Sequence, residues 1–194
     1  MWKSFLLFSM YIFLMSMPLS AGEEPLEASE ESVSPYFIII KAMGTKGGTM
    51  HEEEALLEGD HGYGAGISVG YRLHPRFSIE LEGTYSRNDI EKSEEQHGEL
   101  ESENASAIYH TYAIQLVYKQ PLSEGFILFG KLGYEVENEK VSSHDIDETK
   151  YGMDYAFGIG YELDEHYAVV AEYANSSIGG LRGPAYFLGI EYVF

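Results

Sequence analysis

Histidine is the side chain from which acid–base chemistry near neutral pH is most easily built, and this chain has seven. His110 alone has candidate partners close in sequence, Ser106 and Thr111, a base-and-nucleophile grouping of the kind acyl transfer uses. His110 and Thr111 are adjacent, so in an extended strand they point to opposite faces and cannot exchange a proton. His51, His61, His97 and His144 have no partner pattern at all. Carboxylates are the other abundant type. Glu52, Glu53, Glu54, Glu58 and Asp60 form one run, followed by Asp89, Glu91, Glu94, Glu95, Glu99, Glu101 and Glu103, then Asp145, Asp147 and Glu148. Such runs could capture divalent cations and bridge them to lipid phosphates. None has the spaced oxygen ligands and central glycine of a calcium loop, so solvated loops are the simpler reading. Gly62, Gly64, Gly66 and Gly70 suggest a phosphate cradle, but no helix follows to complete it. Asn104-Ala-Ser106 and Asn175-Ser-Ser177 fit the glycosylation sequon and read as loop polarity. The residues therefore predict no catalytic group, no metal ligand and no cofactor.

The elements that would position these side chains are strands. Tyr63, Ala65, Ile67, Val69, Tyr71 and Leu73 alternate with Gly62, Gly64, Gly66, Ser68, Gly70 and Arg72. Phe77, Ile79, Leu81 and Tyr85 alternate with Ser78, Glu80, Glu82 and Thr84; residues 151–162 and 185–194 repeat the pattern. Weaker versions cover 35–44, 107–120, 126–137 and 167–175. Strict alternation means a strand with two unlike faces. Eight such segments result, most near the 9–11 residues that cross a bilayer at a tilt. Their connections alternate: long over 45–61, 87–106 and 138–150, moderate over 176–182, tight at 74–75, 121–125 and 164–166. A membrane-threading meander keeps its long loops at one end in this way. A soluble sandwich has no reason to.

Composition agrees. The chain carries a formal charge of −20, sixteen Tyr, ten Phe and no Cys. The acidity argues against a nucleic-acid partner, which needs clustered Lys and Arg. Lys3, the apolar run from Phe5 to Leu14 and the small Ala21 have the layout of a secretory signal peptide. An inner-membrane anchor would need about 20 apolar residues, and this run is shorter and ends near Pro18. The division expected is a cleaved signal peptide over 1–21, a flexible acidic lead-in over 22–34 and a barrel over 35–194, with the mature chain starting near Gly22.

Strands span hydrocarbon only as a closed barrel, because every backbone group must be paired. Eight strands close with an interior that side chains can fill. The apolar face should meet lipid. Tyr36, Tyr71, Phe77, Tyr118, Phe126, Tyr161, Tyr167, Tyr192 and Phe194 would form a periplasmic aromatic belt, and Tyr63, Tyr85, Tyr112, Tyr134, Tyr151, Tyr173 and Tyr186 an outer one. The lumen would collect Lys41, Arg72, Glu80, Glu82, Lys119, Lys131, Asp154, Glu162, Glu172 and Glu191. Those charges read as an ion-paired plug, with a polar ion pathway as the competing reading.

At this level the chain resembles the outer-membrane β-barrel domain family, the small eight-stranded barrels of OmpA and OmpX type. Gly64-Ala-Gly-Ile-Ser-Val-Gly-Tyr71 with Arg72, Phe126-Ile-Leu-Phe-Gly-Lys-Leu-Gly-Tyr134, Tyr155-Ala-Phe-Gly-Ile-Gly-Tyr161, Ala171-Glu-Tyr173 and Gly189-Ile-Glu-Tyr-Val-Phe194 carry the resemblance, which covers essentially the whole mature chain. It implies an all-β, eight-stranded, up-and-down transmembrane barrel in the outer membrane of a Gram-negative bacterium. It also implies that the C-terminal strand ending in Phe194 is read by the barrel assembly machinery. Departing from the fuller OmpA plan, the chain is not expected to carry a peptidoglycan-binding domain after the barrel, so anchoring to the cell wall is not implied. The role expected is non-enzymatic: envelope integrity or surface adhesion through acidic loops, with outer-membrane lipid and lipopolysaccharide as partners and an extracellular ligand of unknown identity. The rival roles are a lipid A-modifying barrel enzyme, with His110 as its candidate, and a narrow, porin-like channel.

Overall fold

The computed structural model describes residues 34–52, 55–96, 99–141, 146–180 and 182–194. The expected signal peptide and nearly all of the lead-in lie outside them. The strands are β1 (Tyr36–Gly47), β2 (Thr49–Glu52), β3 (Ala55–His74), β4 (Phe77–Gln96), β5 (Glu99–Pro121), β6 (Phe126–Val141), β7 (Ile146–Glu162), β8 (Tyr167–Ser176) and β9 (Arg182–Val193). Each pairs antiparallel with its neighbour in sequence, and β1 pairs with both β9 and β3, which closes the sheet. The short β2 pairs only with the far end of β3, so the barrel proper has eight strands. Closure leaves no exposed edge in the wall.

Alternation sets which side chains go in and out. Ile40, Leu81 and Leu188 are 64%, 60% and 61% exposed on the outside, while Lys41 and Glu80 are each 1% exposed inside. A water-soluble barrel would show the reverse. Ile67, Val69, Ile79, Ile159 and Ile190 face outward, and Gly66, Gly70, Gly160 and Glu191 inward, as the alternation predicts.

Three connections are tight. Glu124 and Gly125 both take positive φ (61° and 81°) to turn β5 into β6, a backbone conformation that glycine adopts without penalty. Asp164 builds the β7–β8 turn: its Oδ1 accepts from the N–H groups of His166 and Tyr167, each at 2.8 Å. Between β3 and β4 the Arg76 N–H donates to His74 Nδ1 at 3.3 Å.

The opposite end departs from expectation. Much of what alternation assigns to long loops is paired strand. The β4–β5 ladder runs unbroken from Phe77↔Tyr118 to Gln96↔Glu99, and β6–β7 pairs out to Val141↔Ile146. Residues 91–104 are polar at nearly every position. The period-2 signal disappears there although the backbone pairing continues, because a run of one polarity carries no contrast between the two faces.

The lumen also holds an apolar layer at the turn end: Phe37, Ile39, Val117, Phe129, Val170 and Val193. It escapes sequence inspection because these strands are apolar on both faces there, as in Phe37-Ile-Ile-Ile40.

Candidate functional site

The candidate site is the charged lumen, built one or two residues per strand by inward alternation. Lys131 from β6 lies 2.7 Å from Glu80 on β4 and 2.8 Å from Glu172 on β8. Lys41 from β1 pairs with Glu82 and reaches Glu172 at 3.4 Å. Ser68 donates to Glu82 at 3.1 Å. Nearer the turn end, Glu191 on β9 takes Lys119 at 2.8 Å and Arg72 at 3.2 Å. The cations also lie against rings, Lys41 over Phe187 at 4.4 Å and Lys119 over Phe37 at 4.8 Å. Single charges here would be prohibitively costly, whereas paired ones hold each other in place.

This network divides the interior. Glu80, Lys131 and Glu172 border a cavity of about 810 Å³ that opens between the tight turns. Glu82 and Asp154 border a separate chamber of about 40 Å³ towards the hairpin end. Nine of the ten charged residues assigned to the lumen by alternation are buried or partly buried in it. The tenth, Glu162, lines the mouth of the turn-end cavity and is exposed there because β7 ends at it.

Sequence inspection missed a second layer, towards the hairpin end. Arg182 contacts Glu137 at 2.7 Å and Glu135 at 3.6 Å. Lys150 contacts Glu139 at 2.6 Å, and Tyr109 donates to the same carboxylate at 2.9 Å. Alternation alone places Glu139 and Lys150 in a loop and Arg182 in a connection. The signal available was the continued spacing of two in Glu135, Glu137 and Glu139.

The outer surface carries the two aromatic belts. At the turn end Tyr36 packs on Tyr71 at 5.1 Å, Phe126 on Tyr161 at 4.8 Å and Tyr167 on Tyr192 at 5.0 Å. At the other end Tyr173 packs on Tyr186 at 5.3 Å. These are cross-strand neighbours on one face, tilted or edge-on as ring quadrupoles prefer.

His110 belongs to this outer surface, its ring 5.3 Å from Tyr85, while Thr111 is buried inside. Ser106 shares the face of His110 but lies four residues along the strand, about 13 Å away. The three do not assemble. His61 pairs with Asp60 at 2.9 Å on the exposed part of β3, and that contact holds the Asp60 carboxyl below the usual carboxylate range. His97, His144 and Asp145 lie outside the described residues.

A closed antiparallel barrel, apolar and ringed by aromatics outside and ion-paired within, is a transmembrane β-barrel. Residues 41–194 match the outer membrane protein beta-barrel domain, and the chain belongs to that family. It is a protein of the bacterial outer membrane. Solved structures similar to it are outer membrane protein OprG of Pseudomonas aeruginosa (14% identity, TM-score 0.61, covering 84% of this chain and 97% of that one) and neisserial surface protein A (14%, TM-score 0.62, 84% and 100%). Another is Ail, the attachment invasion locus protein of Yersinia pestis (15%, TM-score 0.52, 83% and 99%), solved with the heparin analogue sucrose octasulfate. At such identities the likeness is one of fold. No curated protein matches the sequence.

Proposed function

We propose that the protein is a non-enzymatic surface barrel that supports envelope integrity or adhesion through its acidic hairpins. One observation carries this: ion pairs cross the lumen, while β3 to β7 continue as polar strands beyond the aromatic belt. A sealed lumen serves as a scaffold, and the part available for interaction is the projecting crown. In this reading the tight turns face the periplasm and the hairpins face outward, as is general for such barrels.

Charge narrows the partner. The Ail structure holds a polysulfate; a chain with net charge −20 would repel one. Acidic hairpins suit cations that bridge to lipopolysaccharide phosphates, or a basic surface on another cell. Export through a signal peptide over 1–21, removed near Gly22, and recognition of the strand ending at Phe194 by the barrel assembly machinery complete the proposal.

The test compares a deletion strain complemented with the wild type or with a barrel in which residues 91–104 are replaced by a tight turn. The expected result is that the short-hairpin barrel still reaches the outer membrane but fails to restore adhesion or resistance to chelators. Full rescue by that variant would contradict the proposal. A change in lipid A mass in the deletion strain would favour the enzyme instead.

A further inference from the structure

Charge in the buried lumen is unevenly distributed. In the lower network Lys41, Lys131, Arg72 and Lys119 meet Glu80, Glu82, Glu172 and Glu191, four cations to four carboxylates. Towards the hairpin end two cations, Arg182 and Lys150, stand among four carboxylates, Glu135, Glu137, Glu139 and Asp154. Glu137 and Glu139 take the close ion pairs. Glu135 reaches Arg182 only at 3.6 Å and otherwise has the neutral Ser176 hydroxyl as its partner, and the hydrogen bond described for Asp154 comes from the neutral Gln115 amide. Counted as groups, carboxylates therefore exceed cations by two in this layer, and Glu135 and Asp154 are the two without a close cation.

The same two residues border the 40 Å³ chamber, together with Thr111 and Gln115. Thr111 Oγ1, Gln115 Oε1 and Asp154 Oδ1 are buried without a hydrogen-bond partner and Glu135 Oε1 has only the Arg182 guanidinium at 3.6 Å, all on residues only 3–6% exposed. Buried oxygens of this kind are costly unless something meets them. All four are oxygen, and two are carboxylate, a set that suits a hard cation. Among the described residues no three carboxylates or imidazoles cluster as a metal chelate, so neutral oxygens and water would complete the shell. The chamber exceeds the roughly 10–15 Å³ that one water needs.

We propose that this chamber is an intramembrane site for one divalent cation, Ca²⁺ by preference, held by Asp154 and Glu135 with Gln115 and Thr111 as neutral ligands. One divalent ion cancels the two excess charges. Ca²⁺ accepts the irregular mixed shell that Mg²⁺ resists.

The test is calcium titration of the barrel refolded in detergent, by calorimetry and by thermal unfolding in Ca²⁺, Mg²⁺ or chelator. The wild type is expected to bind one buried Ca²⁺ and to gain Tm with it. Asp154→Asn with Glu135→Gln should abolish both effects and melt in chelator at or above the wild-type temperature. Glu94→Gln with Glu101→Gln in the outer hairpin should keep both. If the double lumen variant does not refold, Thr111→Val must weaken Ca²⁺ binding by itself. Calcium stabilisation that survives the lumen substitutions, or a wild type indifferent to Ca²⁺ and chelator alike, would overturn the site.

Discussion

Single side chains show most plainly which face is which. The Phe37 ring lies over Gly70 in the lumen, so that a Cβ at Gly70 would overlap it. Gly83 faces outward, and a Cβ there would meet the Tyr112 ring at an ordinary 3.8 Å. Gly70→Ala is therefore expected to destabilise by about 1–3 kcal/mol through overpacking, while Gly83→Ala is neutral or stabilising by up to about 1 kcal/mol. Urea unfolding in micelles checks the pair, and equal effects would remove the distinction between lumen and outside. Ion pairs divide in the same way. Lys131→Met leaves the buried Glu80 facing no close cation and Glu172 only Lys41 at 3.4 Å, which should cost about 3–5 kcal/mol. The exposed Lys140–Asp147 pair at 3.1 Å should be worth about 0–1 kcal/mol. Asp164 supplies a pH signature. The His166 and Tyr167 N–H groups hold its carboxyl below the usual carboxylate range. A folded-state pKa below the unfolded one gives stability that is present above about pH 3.9 and lost as pH falls through the folded value. Asp164→Ala should unfold with a shallower loss of stability in acid, measured by fluorescence from pH 6 downward.

At the scale of elements, the legible part was set by the membrane. Residues 62–73 and 151–162 alternate because lipid lies on one side and a polar lumen on the other, and eight strands in meander order follow. Where both surroundings are alike the pattern fails in either direction. Residues 91–104 are polar at nearly every position and hide strand pairing, whereas residues 37–40 and 126–129 are apolar on both sides and hide the inner layer of Phe37 and Phe129. The ion pairs themselves were partly legible. Alternation placed Lys41, Lys131, Glu80 and Glu172 inward, but their meeting across β1, β4, β6 and β8 depends on closure, which no local pattern encodes. The Arg182 layer lay beyond the apparent strand ends. Since the hairpins are continuous with the barrel sheet, removal of residues 91–104 should leave the spanning part folded. Retained heat-modifiable migration of that variant on a gel checks this.

On the scale of the whole molecule, a chain of net charge −20 suits a membrane because its charges are sorted: mostly paired inside, solvated beyond the belts, absent from the lipid face. Ion pairs cross the lumen between the turn-end cavity and the hairpin-end chamber, so planar-bilayer recordings should show no steady conductance; a persistent open channel would refute the plug. The central claim is the sorting itself, and the lack of cysteine makes it directly measurable by single-cysteine spin labelling along β9 in reconstituted bilayers. Labels at Tyr186, Leu188 and Ile190 should collide freely with oxygen dissolved in lipid, and labels at Phe187, Gly189 and Glu191 should be shielded from it, in strict alternation. The reverse alternation, or uniform contact with a water-soluble relaxant at all six positions, would contradict a lipid-facing apolar surface around an ion-paired lumen.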